Sequence, residues 1–173
     1  MKSAPTILVI FGATGDLMRR KIVPALWHLF EERKFPPNFF IIGVSRRDLT
    51  EGAFRGYIGA ALASYRGSSM RGHRAFLNLF TYAHGLFESK EAYLHLGEAL
   101  AKIESRYGRC ANKLFYLAVT PDMYRTVLTN LAHSGLTAPC GDQSGPAPSE
   151  SAPALARPKG LWGGPTLTGW TRI

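Results

Sequence analysis

Apolar positions along the chain alternate between two spacings. Ile7 to Phe11 is a continuous apolar run rich in β-branched residues, the pattern of a strand buried on both faces. It stops at Gly12 and Gly15. Helical spacing starts at once near Asp16 and runs towards Lys34, with Leu17, Ile22, Leu26, Leu29 and Phe30 on one side. Pro24 lies inside that segment, lacks an N–H and clashes with the preceding turn, so a kink or break is predicted near Val23. Asp16 favours the helix dipole and is placed to cap the helix through its carboxylate. Phe35 to Asn38 closes the helix, and a second strand follows over Phe39 to Val44. Thr50 opens a second helix towards Tyr65, and Ser68 to Gly72 reads as a loop. Ala75 to Phe80 is predicted as a strand and Ala83 to Gly85 as a turn. Ser89 to Tyr107 reads as a helix with Ala92, Leu96, Ala99 and Ile103 recurring on one side. A strand over Leu114 to Val119 and a helix over Pro121 to Ala132, with proline at its start, complete the pattern.

Strands alternating with helices of ordinary length predict an α/β fold with a parallel sheet covered on both faces. The opening strand, glycine turn and helix specify more. Glycines let the chain turn sharply and let a pyrophosphate approach without meeting a Cβ, while the next helix offers free N–H groups and a partial positive charge. That order opens a dinucleotide-binding βαβ unit, and the predicted fold class is a Rossmann-like doubly wound sheet. Gly12-x-x-Gly15-x-x-Met18 departs from the usual G-x-G-x-x-G/A string: the middle glycine is absent and Met18 takes the third small position. A glycine pair after a strand is often just a turn, and the pair alone leaves that alternative open.

Composition narrows the classes. Hydrophobic content of 46% and charged content of 19% over 173 residues fit a soluble globular chain of one domain. A net charge of +9 points to anionic partners, and phosphorylated cofactors satisfy it as well as nucleic acid does. No nucleic-acid recognition motif accompanies the charge, so no nucleic-acid partner is expected. No apolar run is long enough to span a bilayer, and Met1 to Pro5 leads straight into the first strand; a cytoplasmic, membrane-free protein is expected. Cys110 and Cys140 lack C-x-x-C spacing and read as ordinary thiols. His28, His73, His84, His95 and His133 show no metal-ligand spacing, read as surface or partly buried imidazoles, and no metal is expected.

The string Gly12-Ala13-Thr14-Gly15-Asp16-Leu17, followed by Arg19-Arg20-Lys21 and Pro24, resembles the start of glucose-6-phosphate dehydrogenase. The resemblance continues through Phe39 to Arg46, where a strand ends in Arg, and through Lys113 to Pro121. It implies an NADP-dependent oxidoreductase of the pentose phosphate pathway, oxidising D-glucose 6-phosphate to 6-phosphogluconolactone. It also implies that Gly12, Ala13, Thr14, Gly15, Asp16, Leu17, Met18 and Arg19 hold the coenzyme phosphates. Tyr116 is placed beside the coenzyme, and Lys21 where the sugar phosphate meets the nicotinamide. Arg20 reads equally as solvated helix face. At the end of the second strand, where NAD-preferring domains carry an acidic residue, stand Ser45, Arg46 and Arg47, with Asp48 beyond. A planar guanidinium suits a 2′-phosphate, so Arg46 favours NADP. The family's His–Asp base pair, its Asp-His-Tyr phosphate segment and its Glu-Lys-Pro-Phe-Gly lysine have no counterpart before Ile173. No catalytic residue is therefore expected here, and the chain alone is expected to be inactive. Family members are homo-oligomers, and unpaired strand edges would make this chain self-associate.

From Ala138 to Gly169 the chain is crowded with Pro, Gly, Ser and Ala, a composition expected to stay disordered. Removing Pro146 to Gly169 would join Gly145 to Trp170 and restore the family's Gly-Trp-x-Arg-Ile strand. The expected organisation is an NADP-binding domain over 1–137, an insertion over 138–169 and the start of a truncated strand at 170–173. Two rival readings remain. An atypical short-chain dehydrogenase/reductase would use a Tyr-x-x-x-Lys pair, and none of the seven tyrosines has Lys four residues later. A non-catalytic NADP-binding fragment is the other.

Overall fold

The computed structural model describes residues 4–66, 72–138 and 171–173. Strands β1 (Thr6–Phe11), β2 (Phe39–Ser45), β3 (Phe80–His84), β4 (Asn112–Leu117) and β5 (Thr171–Arg172) form one sheet in the order β3-β2-β1-β4-β5. Every pairing is parallel. β1 lies between β2 and β4, with Phe11 opposite Val44 on one side and Leu117 on the other. Burial on both faces explains its unbroken apolar sequence, since all six residues are buried.

Alternation of side chains along β1 divides the core in two. Ile7, Val9 and Phe11 pack with α4 (Lys90–Tyr107) and α5 (Pro121–Ser134). Leu8 and Ile10 face α1 (Val23–Glu31), α2 (Glu51–Arg66) and α3 (His73–Leu77). Helix α4 starts where Ser89 caps it, its hydroxyl accepting from the Glu91 N–H at 3.2 Å.

Four expectations change. A π-turn over Met18–Ile22 precedes α1, with the Val23 N–H donating to the Met18 carbonyl. Pro24 has no N–H to offer the Arg20 carbonyl, and a wider turn accommodates the loss, so the break near Val23 takes this form. The predicted strand over Ala75 to Phe80 is instead α3 followed by β3, and Ala83 and His84 belong to the strand rather than to a turn. Phe76 decides the matter by packing edge-on against Trp27 at 5.2 Å and Phe80 at 5.1 Å. His73 is buried, at 4% exposure, with its ring edge-on to Trp27, because α3 carries it into the same aromatic cluster. Cys110 is disulfide-bonded, which corrects its reading as an ordinary thiol; the absence of C-x-x-C spacing says nothing about a bond formed by tertiary folding. Cys140, the 139–169 segment and Trp170 lie outside the described residues. Among the described residues no helix is long and apolar enough to cross a membrane.

Candidate functional site: a dinucleotide crevice

The chain leaves β1 for β2 on one side, while β4 pairs on the other, so the sheet reverses direction beside β1. In sheets of this topology the loops after the strands diverge at such a point, which is where a ligand crevice forms at the carboxyl ends. The glycine turn fills that corner. Gly12 has φ +83°, and a Cβ on it would lie 2.3 Å from the Ala118 carbonyl oxygen at the end of β4. Only glycine fits the backbone angle and the approach together. On Gly15 a Cβ would lie 3.1 Å from the Gly12 oxygen. The turn is thus a backbone-lined cradle, the form a pyrophosphate requires.

Sequence reasoning offered the whole run from Ala13 to Arg19 as backbone donors. The structure uses some of these N–H groups internally: Ala13 on Val44 O at 3.2 Å, Gly15 on Gly12 O at 2.9 Å and Arg19 on Gly15 O at 3.3 Å. Among the described residues the N–H groups of Thr14 and of the first helical residues, Asp16 and Leu17, donate to no backbone carbonyl outside the helices and strands. Ala13 and Met18 are buried in the core, so only their backbone reaches the turn. Asp16 does not cap the helix. Its exposed carboxylate pairs with Arg19 at 3.3 Å and Arg20 at 3.4 Å instead. That pairing parks two guanidinium groups beside the glycine turn. Lys21 is exposed on the next turn of the same segment.

Arg46 and Arg47 follow β2 and are exposed. Among the described residues neither the Arg46 nor the Arg47 guanidinium makes an ion pair or hydrogen bond. Tyr116 on β4 pairs in register with Ile10 and is 46% exposed, on the sheet face that carries Leu8 and Ile10. β1, β2 and β4 therefore bring the glycine turn, Arg46 and Tyr116 to one end of the sheet.

A family model described as glucose-6-phosphate dehydrogenase, NAD binding domain, matches residues 9–144. The chain belongs to this family. Glucose-6-phosphate 1-dehydrogenase of Chlamydia muridarum is 35% identical over 130 residues, which cover 73% of this chain and 26% of that protein. Glucose-6-phosphate 1-dehydrogenase 2 of Mycobacterium bovis is 33% identical over 143 residues, 82% of this chain and 28% of its own length. A solved glucose-6-phosphate dehydrogenase in complex with its substrate glucose-6-phosphate superposes with a TM-score of 0.66 at 31% identity, covering 75% of this chain and 27% of that one. The Mycobacterium avium enzyme gives a TM-score of 0.65 at 26% identity, covering 76% of this chain and 27% of that one. The chain spans about a quarter of the length of the curated relatives it matches.

Within this glucose-6-phosphate dehydrogenase domain, sequence reasoning missed the supports behind the crevice. Tyr57 on α2 donates to the carbonyls of Thr14 at 3.1 Å and Gly15 at 3.2 Å, pinning the glycine turn from below. Burial pushes its phenol above the ordinary range, although Arg47 and Arg19 pull the other way. Gly43 lets Phe54 and Ala13 close over β2, since a Cβ there would lie 2.3 Å from the Phe54 ring. Gly43 was visible as a glycine inside a strand, a signal of close approach. Tyr57 gave no signal, because a tyrosine at helical spacing reads as core.

Proposed function

We propose that this chain is the coenzyme-binding part of an NADP-dependent glucose-6-phosphate dehydrogenase. The observation that carries the reading is the pairing of a backbone-lined glycine turn with an unpartnered Arg46 at the end of β2. Gly12 and Gly15 shape the cradle, the N–H groups of Thr14, Asp16 and Leu17 bind the pyrophosphate, and Arg19 neutralises it. Arg46 takes the 2′-phosphate, which supports NADP over NAD. Tyr116 lies beside the coenzyme, and Lys21 is directed to the junction of sugar phosphate and nicotinamide. The bound coenzyme supplies the hydride acceptor for C1 of D-glucose 6-phosphate, yielding 6-phosphogluconolactone. This chain's residues bind and orient; the proton-removing group belongs to the remainder of a full-length enzyme.

Arg46→Ala tests the coenzyme assignment. A hydrogen bond to a charged group contributes about 1.5–3 kcal/mol, so NADP affinity should fall about ten- to a few-hundredfold. NAD affinity, measured in parallel by titration calorimetry, should stay nearly constant. Equal weakening of both coenzymes refutes the assignment.

A further inference from the structure

Three chain segments meet behind Arg46 through a line of hydroxyl groups. Thr14 Oγ1 in the glycine turn lies 3.0 Å from Ser45 Oγ at the end of β2. Ser45 Oγ lies 2.7 Å from the Tyr82 hydroxyl on β3. The Tyr82 hydroxyl donates to the Arg47 carbonyl, and the Arg47 N–H donates back to Ser45 Oγ at 3.3 Å. Counting protons gives the line a direction. Tyr82 has one proton, and the Arg47 carbonyl can only accept it. Ser45 must therefore donate to the Tyr82 oxygen, and Thr14 must donate to Ser45. Each hydroxyl donates once along Thr14, Ser45, Tyr82 and Arg47, and the loop closes through the Arg47 N–H.

Arg46 sits between the two residues that close this loop, and its side chain, like that of Arg47, has no hydrogen-bond or ion-pair partner among the described residues. Its neighbours on both sides are held: Ser45 by its buried hydroxyl, and Arg47 by both backbone groups. The same line ties Ser45 to Thr14, so the glycine turn and the base of Arg46 are kept at a set separation. The Tyr82 ring is itself held against Phe54, 4.7 Å between centroids and tilted 30°. Burial pushes its phenol above the ordinary range, which favours the protonated, donating form.

We propose that Tyr82 is a positioning residue for coenzyme selection. It fixes the base of Arg46 relative to the glycine turn, so that a dinucleotide carrying a 2′-phosphate is preferred over one that lacks it. The inference rests on the reading of Arg46 as the 2′-phosphate ligand. Its physical basis is preorganisation: a turn already held in its bound shape does not lose that freedom on binding. A dinucleotide without the phosphate makes no use of Arg46 and should be indifferent to Tyr82.

The test is calorimetric titration of the full 173-residue chain with NADP and with NAD. The variants are Tyr82→Phe, Ser45→Ala, Arg46→Ala and the double variant Tyr82→Phe with Arg46→Ala. Removing one neutral hydrogen bond should lower NADP affinity by about three- to tenfold, with NAD unchanged. Ser45→Ala breaks the same line and should act in the same direction; it carries the test if Tyr82→Phe loses its cooperative melting transition. With Arg46 already replaced, Tyr82→Phe should have no further effect on NADP, because coupled residues are not additive. Equal loss of NADP and NAD affinity, or an undiminished effect in the Arg46→Ala background, overturns the proposal. A selective loss in Arg46→Ala beside an unmoved Tyr82→Phe overturns it while leaving the NADP reading intact. If the parent chain binds no NADP, or if Arg46→Ala weakens both coenzymes equally, the NADP reading falls and this inference with it.

Discussion

At Gly12 two demands coincide: a left-handed backbone angle, and a Cβ position 2.3 Å from the Ala118 carbonyl oxygen. A methyl group there must push β4 away from β1 or straighten the turn. Gly12→Ala should therefore destabilise the chain by about 1–3 kcal/mol from overpacking alone. It should also abolish dinucleotide binding, because the cradle would no longer follow the phosphates. Chemical denaturation read beside coenzyme titration checks both outcomes, and unchanged stability with normal binding would refute the account. Gly12 was legible in the sequence because the strand before it and the helix after it give a glycine one purpose there. Arg46 was legible for the same reason, standing at the end of a recognisable strand. Tyr57 and Tyr82 were not. Their hydroxyls reach partners 43 and 37 residues away, and no local pattern encodes such a meeting.

Among the elements, α4 shows how packing changes chemistry. Tyr93 is 3% exposed, and its hydroxyl donates to the Phe87 carbonyl at 2.9 Å. Burial pushes its phenol up to about 12 from 10.0. The folded state holds this proton more tightly than the unfolded chain does. Stability from this group is thus full below the ordinary tyrosine value and is lost as pH rises towards about 12. Unfolding midpoints should fall between pH 10.0 and about 12, and Tyr93→Phe should flatten that part of the decline. Identical alkaline profiles for parent and variant would contradict it. Element boundaries that follow a long period, such as α4, were readable in advance. The short run from Ala75 to Phe80 was not, because six residues cannot distinguish helical from strand spacing. The π-turn before α1 was readable only as an interruption at Pro24; its widened form depends on how Val23 and Met18 pack.

Taken whole, the molecule has a sheet reversal beside β1, with the glycine turn, Arg46 and Tyr116 gathered at it. Relatives of this chain are about three times its length, and the resemblance assigns the general base to a region without counterpart here. Hydride transfer from C1 of the sugar needs a base within reach of the hydroxyl proton that leaves with it. The purified chain, given NADP and D-glucose 6-phosphate, should show no NADPH formation above background. Sustained turnover that survives removal of host enzyme would refute this, and would place the base within these 173 residues.

The sequence by itself determined the alternation of strands and helices, the glycine turn that opens the fold and the basic residue closing the second strand. These are local matters: burial on one face or two sets the apolar period, and a single backbone angle demands glycine. The tertiary structure decided the strand order, and with it the corner where Gly12 meets Ala118. It decided which N–H groups of the turn remain open, the pairing of Asp16 with two arginines, and the hydroxyl line from Thr14 to Arg47. Each depends on residues brought together by packing across the sheet. Periodicity records how deeply a residue is buried, and it carries no record of which residue it is buried against.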